Sequence, residues 1–329
     1  MLYPLKFHPI LKEKIWGGRE LESLLGKALP TDRPVGESWE ISDLPGNESR
    51  VRNGRLAGQT IGDLLRRYPE EILGAGCDNR KAQEPFPLLL KFIDASARLS
   101  LQVHPGDEYA RIHEGGRGGK WETWHVLWAS PEAEIILGLH EGVGRATLLR
   151  AIREKTVEQL VNRFRVEAGD TVLIPPGTLH SVGGRLLLFE IQQPSDLTYR
   201  VYDWGRTGLD GRPRSLHLEK ALDVIDFDPV PLNTLQPRPL RRGKVKSDIL
   251  VAIDAFTLKK VEIEQNASLE EEGGEMQTLS IIGGSGRIRY GSGPEERVGL
   301  GETALIPASL GSFSVGAGPG GIRLLSAHP

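Results

Sequence analysis

The chain has 329 residues, enough for one large domain or two ordinary ones. A formal net charge of −3 and a pI near 6.3 exclude a bulk basic surface for nucleic acid or anionic membrane, so an anionic ligand has to be met by a few placed cations. The single cysteine, Cys77, excludes an internal disulfide framework and a thiolate zinc cluster. In chain order, the N-terminal stretch MLYPLKFHPILKEKIWGG carries charges inside its apolar run and reads as no signal peptide, and no later run has the length of a membrane span. The expectation is a soluble cytoplasmic protein. Short helices are predicted over 63–68 and 70–73. Strands follow in FPLLLKFI (86–93), RLSLQVH (98–104) and EIILGL (134–139), each punctuated by Gly or Pro. A helix is predicted over 156–164, where Thr156 and Gln159 fit a capping box and Val157, Leu160, Val161 and Phe164 form an apolar stripe. Strands resume in DTVLIP (170–175) and RLLLFEIQQ (185–193). The Pro-rich, charged stretch 226–248 reads as a bridge.

The strands sort by parity. In RLSLQVH, Ser100, Gln102 and His104 share one face and Leu99, Leu101 and Val103 the other. In GKWETWHV, Lys120, Glu122 and Trp124 fall together while His125 points away. In LLLFEIQQ, Glu190 and Gln192 share a face opposite Leu187, Phe189 and Ile191. A polar face on an otherwise apolar strand is costly to enclose unless it meets a ligand, a metal or water.

A repeat relates the middle of the chain to its last third. VEAGDTVLIPPGTLHSVGG (166–184) matches VGLGETALIPASLGSFSVGAG (298–318) at an offset of 132 residues, with Gly169 on Gly301 and the Ile174-Pro175 pair on Ile306-Pro307. His180 falls on Ser312. Repeated segments of this kind share a fold, so the expected class is mainly β with a few short helices. Two similar units follow, 1–235 with chemistry and 236–329 without it.

The spacing Gly169-x5-Pro175-x-Gly177-x2-His180 resembles the second motif of the cupin superfamily, small jelly-roll barrels that hold a metal inside. The first cupin motif is normally His-x-His followed by Glu. Here it is Gln102-x-His104, then Glu122 after a longer gap. With that departure, SLQVHP, GKWE, PPGTLH and YRVYDWGR, in that order, resemble the type I mannose-6-phosphate isomerases, also called phosphomannose isomerases. IWGG (15–18) and GESWEIS (36–42) extend the likeness to roughly the first 210 residues. Only 57 residues separate Glu122 from His180, as in the compact bacterial branch.

The resemblance implies two cupin-type jelly-roll or β-barrel units and one Zn2+ per chain, held by Gln102, His104, Glu122 and His180. That donor set, two imidazoles, a carboxylate and an amide with no thiolate, suits a catalytic rather than a structural ion. It implies a small sugar phosphate as partner, with Lys91, Ser100, Lys120 and Arg200 binding it. It further implies reversible conversion of mannose 6-phosphate to fructose 6-phosphate through an enediol, with Arg200, Lys120, Glu190 and Asp196 as the catalytic candidates and the base unranked among the last three. Glu37 and Trp39 in GESWEIS read equally as structural. The rival readings are a non-catalytic sugar-binding cupin and a cupin metalloenzyme with another substrate. The remaining histidines, His8, His113, His125, His140, His217 and His328, read as ordinary core or surface residues.

Overall fold

The computed structural model describes residues 2–30, 32–75, 84–292 and 294–329; Cys77 lies outside them. Two antiparallel sheets face each other in the first two thirds of the chain. One runs β11 (Thr171–Ile174), β8 (Glu122–Ala129), β13 (Leu186–Gln192), β6 (Leu89–Ala95), β3 (Val35–Ile41), β2 (Ile10–Gly18). The other runs β10 (Val161–Arg165), β9 (Glu134–Leu139), β12 (His180–Gly183), β7 (Leu101–Val103), β14 (Tyr199–Tyr202). Trp124, Val126, Leu188 and Ile93 from the first sheet meet Ile135, Leu137 and Val182 from the second in the space between them.

Each sheet is also covered on its outer side, which explains strands that are apolar on nearly every residue. Leu90, Phe92, Leu187, Phe189 and Ile191 turn outward against Ile61, Leu64 and Leu65 of α2 (Ile61–Arg67) and Ile72 of α3 (Pro69–Leu73). On the far side, Leu101, Val103, Val161 and Val201 pack against Leu148, Ala151 and Ile152 of α5 (Arg145–Glu154) and Ala221 and Leu222 of α6 (Leu218–Val224). The smaller helices α1 (Glu20–Ser23) and α4 (Asp107–His113) flank the sheets. Parity places the polar residues inside. Phe189 and Ile191 face the outer core, and Glu190 between them faces the space between the sheets.

The strands from residue 238 onward form a third sheet together with β1 (Leu5–Lys6). Its order is β1, β21 (Thr303–Ile306), β19 (Gln277–Tyr290), β22 (Phe313–His328), β17 (Phe256–Ile263), β16 (Val245–Ile253), β15 (Arg238–Arg241), with β18 (Ser268–Glu271) on β22 and β20 (Glu296–Gly299) on β19. A hairpin, β4 (Asp43–Leu44) with β5 (Asn47–Glu48), completes the strands. The repeated segments both become strands, β11 and β21, and each follows a glycine in the left-handed region, Gly169 at φ 102° and Gly301 at φ 76°. After the strand they diverge. The first turns through Pro175-Pro176-Gly177 to His180, whereas the second makes a 3-10 turn over Ala308–Leu310, and Ser312 donates only to the Glu272 carbonyl, at 3.3 Å.

Three expectations are corrected. The 156–164 segment is not a helix: Val157–Gln159 is a single 3-10 turn without a side-chain cap, and β10 follows. The helix lies just before it, α5, and ends where Lys155 takes φ 58°, a left-handed stop. The stretch 226–248 is not all bridge, because 238–241 form the edge strand β15, which pairs with β16 beginning at Val245. Leu99 does not share the face of Leu101 and Val103; it precedes β7 and joins the inner core. No helix among the described residues is long and apolar enough to cross a membrane.

Candidate metal centre and substrate cavity

His180 opens β12 and sits directly across the ladder from Gln102 on β7. His104 leaves β7 two residues later, and Glu122 opens β8 on the facing sheet. The Pro-x-Gly turn is tied to this geometry. Gly177 donates its N–H to the His104 carbonyl at 2.9 Å, its φ is 83°, and a Cβ there would stand 2.9 Å from the Val224 carbonyl oxygen. Glycine is required on both counts.

Each imidazole is oriented through Nδ1. His104 donates Nδ1–H to the Leu197 carbonyl at 2.6 Å and His180 to the Thr178 carbonyl at 2.8 Å. Both Nε2 lone pairs then face Glu122, at 3.4 Å from Oε2 and 3.2 Å from Oε1 respectively. One ligand atom from each of the three lies within 4.8 Å of the others, and all three side chains are buried. Lys120 Nζ stands 2.7 Å from Glu122 Oε2 and 3.2 Å from His104 Nε2. Despite that proximity, neither Glu122 oxygen accepts a hydrogen bond of good geometry. A fully buried carboxylate in that condition, aimed at two imidazole lone pairs, is the donor set of a divalent-metal site. Gln102 lies alongside, its Oε1 3.2 Å from Ser100 Oγ and its Nε2 3.4 Å from His180 Nε2. Oxygen and nitrogen of an amide exchange on a flip that keeps its shape, which turns Oε1 to the His180 side.

The charges fit this role. Burial would raise Glu122, but the charge of Lys120 beside it holds its pKa well below the ordinary carboxylate value. Burial pushes His180 down to about 3, and burial followed by the charge of Lys120 lowers His104. An ionised carboxylate and neutral imidazoles are the protonation states that metal binding needs.

The centre opens into a cavity of about 430 Å³ between the two sheets. Ser100, Gln102, Lys91, Lys120, Glu190, Asp196 and Arg200 all line it, as do Glu37 and Trp39. Lys91 donates to Glu190 Oε1 at 2.7 Å and to Gln192 Oε1 at 2.6 Å, and Trp124 Nε1 donates to Glu190 Oε2 at 2.9 Å. Arg200 faces Gln102 across β14 and β7; its Nη1 donates to the Ser215 carbonyl at 2.9 Å and its buried Nε has no partner. Asp196 is exposed at the mouth, 3.2 Å from Arg117. His125 points away and lies 2.9 Å from Thr171 Oγ1. Sequence reasoning missed Lys12, Lys14, Thr198 and Arg214 and assigned no role to Trp16, all of which line the cavity. The signal was present in ILKEKIW, where Lys12, Lys14 and Trp16 alternate on one face of β2.

Fold and centre together define a β-sandwich protein with an enclosed two-histidine, one-carboxylate metal site beneath a cation-lined cavity. Residues 4–119 match the model of the phosphomannose isomerase type I catalytic domain. Over 100% of both chains the protein is 35% identical to a probable mannose-6-phosphate isomerase of Bacillus subtilis (strain 168). It is 34% identical to the mannose-6-phosphate isomerase of Streptococcus mutans, over 100% of this chain and 99% of that one. The crystal structure of the mannose 6-phosphate isomerase from Bacillus subtilis superposes with a TM-score of 0.90 at 31% identity, covering 100% of each chain. The chain belongs to the type I phosphomannose isomerase family, whose members are metal-dependent.

Proposed function

We propose that this chain interconverts mannose 6-phosphate and fructose 6-phosphate in the cytoplasm, with one zinc ion held by Gln102, His104, Glu122 and His180. The observation that carries the reading is the buried His104–Glu122–His180 cluster opening into a cavity with six cationic side chains, Lys12, Lys14, Lys91, Lys120, Arg200 and Arg214. An acidic protein that lines one cavity in this way is suited to a dianionic substrate. In this reading residues 1–235 form the catalytic unit and 236–329 a second cupin unit without ligands. The sheet division near residue 238 supports it, although β1 pairs with the later sheet.

When bound, the metal acts as a Lewis acid toward substrate oxygen. The chain's own residues bind and move the proton. Ser100, Lys91, Lys120 and Arg200 are proposed to hold the sugar phosphate, and Arg200, Lys120, Glu190 and Asp196 to act on it. The reaction takes a proton from C2 of the aldose and returns one to C1 through an enediol, so a base must reach both carbons. Lys120 is the candidate beside the cluster. Glu190 has both oxygens already engaged, which suits an ionised anchor for Lys91, and Asp196 stands at the mouth. Trp16, Trp39 and Trp124 wall the cavity against water.

A coupled assay on metal-loaded protein tests the reading. Mannose 6-phosphate should yield fructose 6-phosphate, and in D2O some product should carry deuterium at C1. Binding of mannose 6-phosphate without turnover would leave a non-catalytic cupin instead.

A further inference from the structure

We infer that Lys12 binds the phosphate group of the substrate, at the end of the cavity away from the metal-ligating cluster, with the Trp39 ring as its support. The inference rests on the isomerase reading and adds a residue to it.

The first argument is charge pairing. Of the six cavity cations, four have a carboxylate partner within reach. Lys14 is 3.1 Å from Glu37, Lys91 2.7 Å from Glu190 and Lys120 2.7 Å from Glu122, and Arg214 grips Asp203. Lys12 and Arg200 form no carboxylate ion pair among the described residues. Lys12 donates to the neutral Asn47 side chain and lies 4.7 Å from the centre of the Trp39 ring. Trp39 is itself fixed, its Nε1 donating to Glu37 Oε2 at 2.6 Å. Burial, then the adjacent charge of Lys14, lowers the pKa of Lys12 against the smaller opposing pull of Glu37 and Asp196, so an arriving dianion would add to a compensation that the protein supplies only in part.

The second argument is position. Arg200 stands opposite Gln102 on the neighbouring strand, beside the cluster. Lys12 lies on the edge strand β2, four strands from Glu122 through β13, β6 and β3. At about 4.8 Å per strand that is roughly 19 Å along the sheet, which curvature and a long side chain shorten. A hexose 6-phosphate carries its reacting carbons and its phosphate at opposite ends. Two cations without an ion-paired carboxylate, one beside the cluster and one on the edge strand, match that layout, with Arg200 on the reacting end and Lys12 on the phosphate.

The test compares the metal-loaded chain with its Lys12→Met, Lys12→Gln and Lys12→Arg variants. In Lys12→Met the KM for mannose 6-phosphate should rise about 10- to 100-fold with kcat changed by less than about threefold, the effect of losing one charge-assisted hydrogen bond. Competitive inhibition by inorganic phosphate should weaken by a similar factor, and Lys12→Arg should recover most of both losses. An unchanged KM with unchanged phosphate inhibition overturns the assignment, as does a loss confined to kcat. Thermal protection by inorganic phosphate, compared between wild type and Lys12→Gln, needs no turnover and serves if Lys12→Met fails to fold. Weaker protection of Lys12→Gln supports the assignment, and equal protection overturns it. If the wild type does not isomerise mannose 6-phosphate, the isomerase reading fails on its own, and the protection comparison still decides Lys12.

Discussion

Lys91 and Glu190 form an ion pair on adjacent strands, 2.7 Å from Nζ to Oε1, with side chains only 8% and 5% exposed. Burial alone would lower the pKa of Lys91, but Glu190 and then Glu37 reverse that and hold it above its ordinary value. Removing one partner leaves the other charge buried without its counter-ion, which typically costs about 3–5 kcal/mol. Lys91→Met should therefore lose stability of that order in urea denaturation. The Lys91→Met/Glu190→Gln double variant should recover a clear part of it, because no unpaired charge remains. A double variant as unstable as the sum of its singles would mean that the pair is not coupled.

One tightly held metal per chain is expected. Among the described residues a single group of three His, Cys, Asp or Glu side chains converges, and Ser312 stands where a second histidine would be needed. Elemental analysis of purified protein should approach one equivalent. His180→Ala should retain little metal, since Glu122 would keep only His104 and Gln102 beside it. Because metal binds the folded chain, chelation should lower Tm as well as abolish activity. Two retained equivalents, or full retention in His180→Ala, would refute the single site.

The site was more legible in the sequence than the helices were. Strand parity held for these pairs though not for Leu99, so Gln102 with His104, Lys120 with Glu122, and Glu190 with Gln192 could be grouped by alternation alone, and the closely turned Pro-x-Gly placed His180. The stripe Val157, Leu160, Val161, Phe164 misled because all four pack on the core without a helix: Val157 and Val161 are buried under α5, one in a 3-10 turn and the other in a strand, while Leu160 and Phe164 are partly buried against the core. A left-handed residue at Lys155, which glycine or asparagine would have announced, decided the boundary. Lys12 and Lys14 were hidden for a different reason. Lysines on an edge strand ordinarily face solvent, and only the facing sheet turns this edge into a cavity wall.

His125 gives a pH test outside the cavity. Burial, with a smaller contribution from the charge of Lys260, pushes its pKa down to about 4. Between that value and the ordinary 6.5 the unfolded chain takes up the proton and the folded one does not, so the stability present above pH 6.5 is lost as pH falls through this window. The shift corresponds to about 3 kcal/mol at most. His125→Gln should flatten that slope, measured as the difference in unfolding free energy between pH 7.5 and pH 4.5. An equal slope in both proteins would show that His125 titrates normally.

Asp94 should act with the opposite sign. It is fully buried; Oδ2 accepts the Glu20 N–H at 2.7 Å, and Oδ1 has no partner. Glu20, pinned by Arg185 at 3.0 Å, faces the same pocket, where a Cβ on Gly18 would come within 2.8 Å of Asp94 Oδ1 and 2.5 Å of Glu20 Oε2. Burial first and the Glu20 carboxylate second raise Asp94 to about 7. The folded chain therefore holds a proton that the unfolded chain releases near pH 4, and stability declines as pH rises from there to about 7. Asp94→Asn keeps the shape and an acceptor for Glu20 N–H, and its amide can donate to the Glu20 carboxylate, so it mimics the protonated acid. Relative to wild type it should gain stability as pH rises, by roughly 2–4 kcal/mol between pH 4 and pH 8.5. Urea unfolding of both proteins at the two pH values measures this. A stability difference that is the same at pH 4 and pH 8.5 would mean that Asp94 titrates in the folded chain as it does in the unfolded one, and the raised pKa of Asp94 would have to be abandoned.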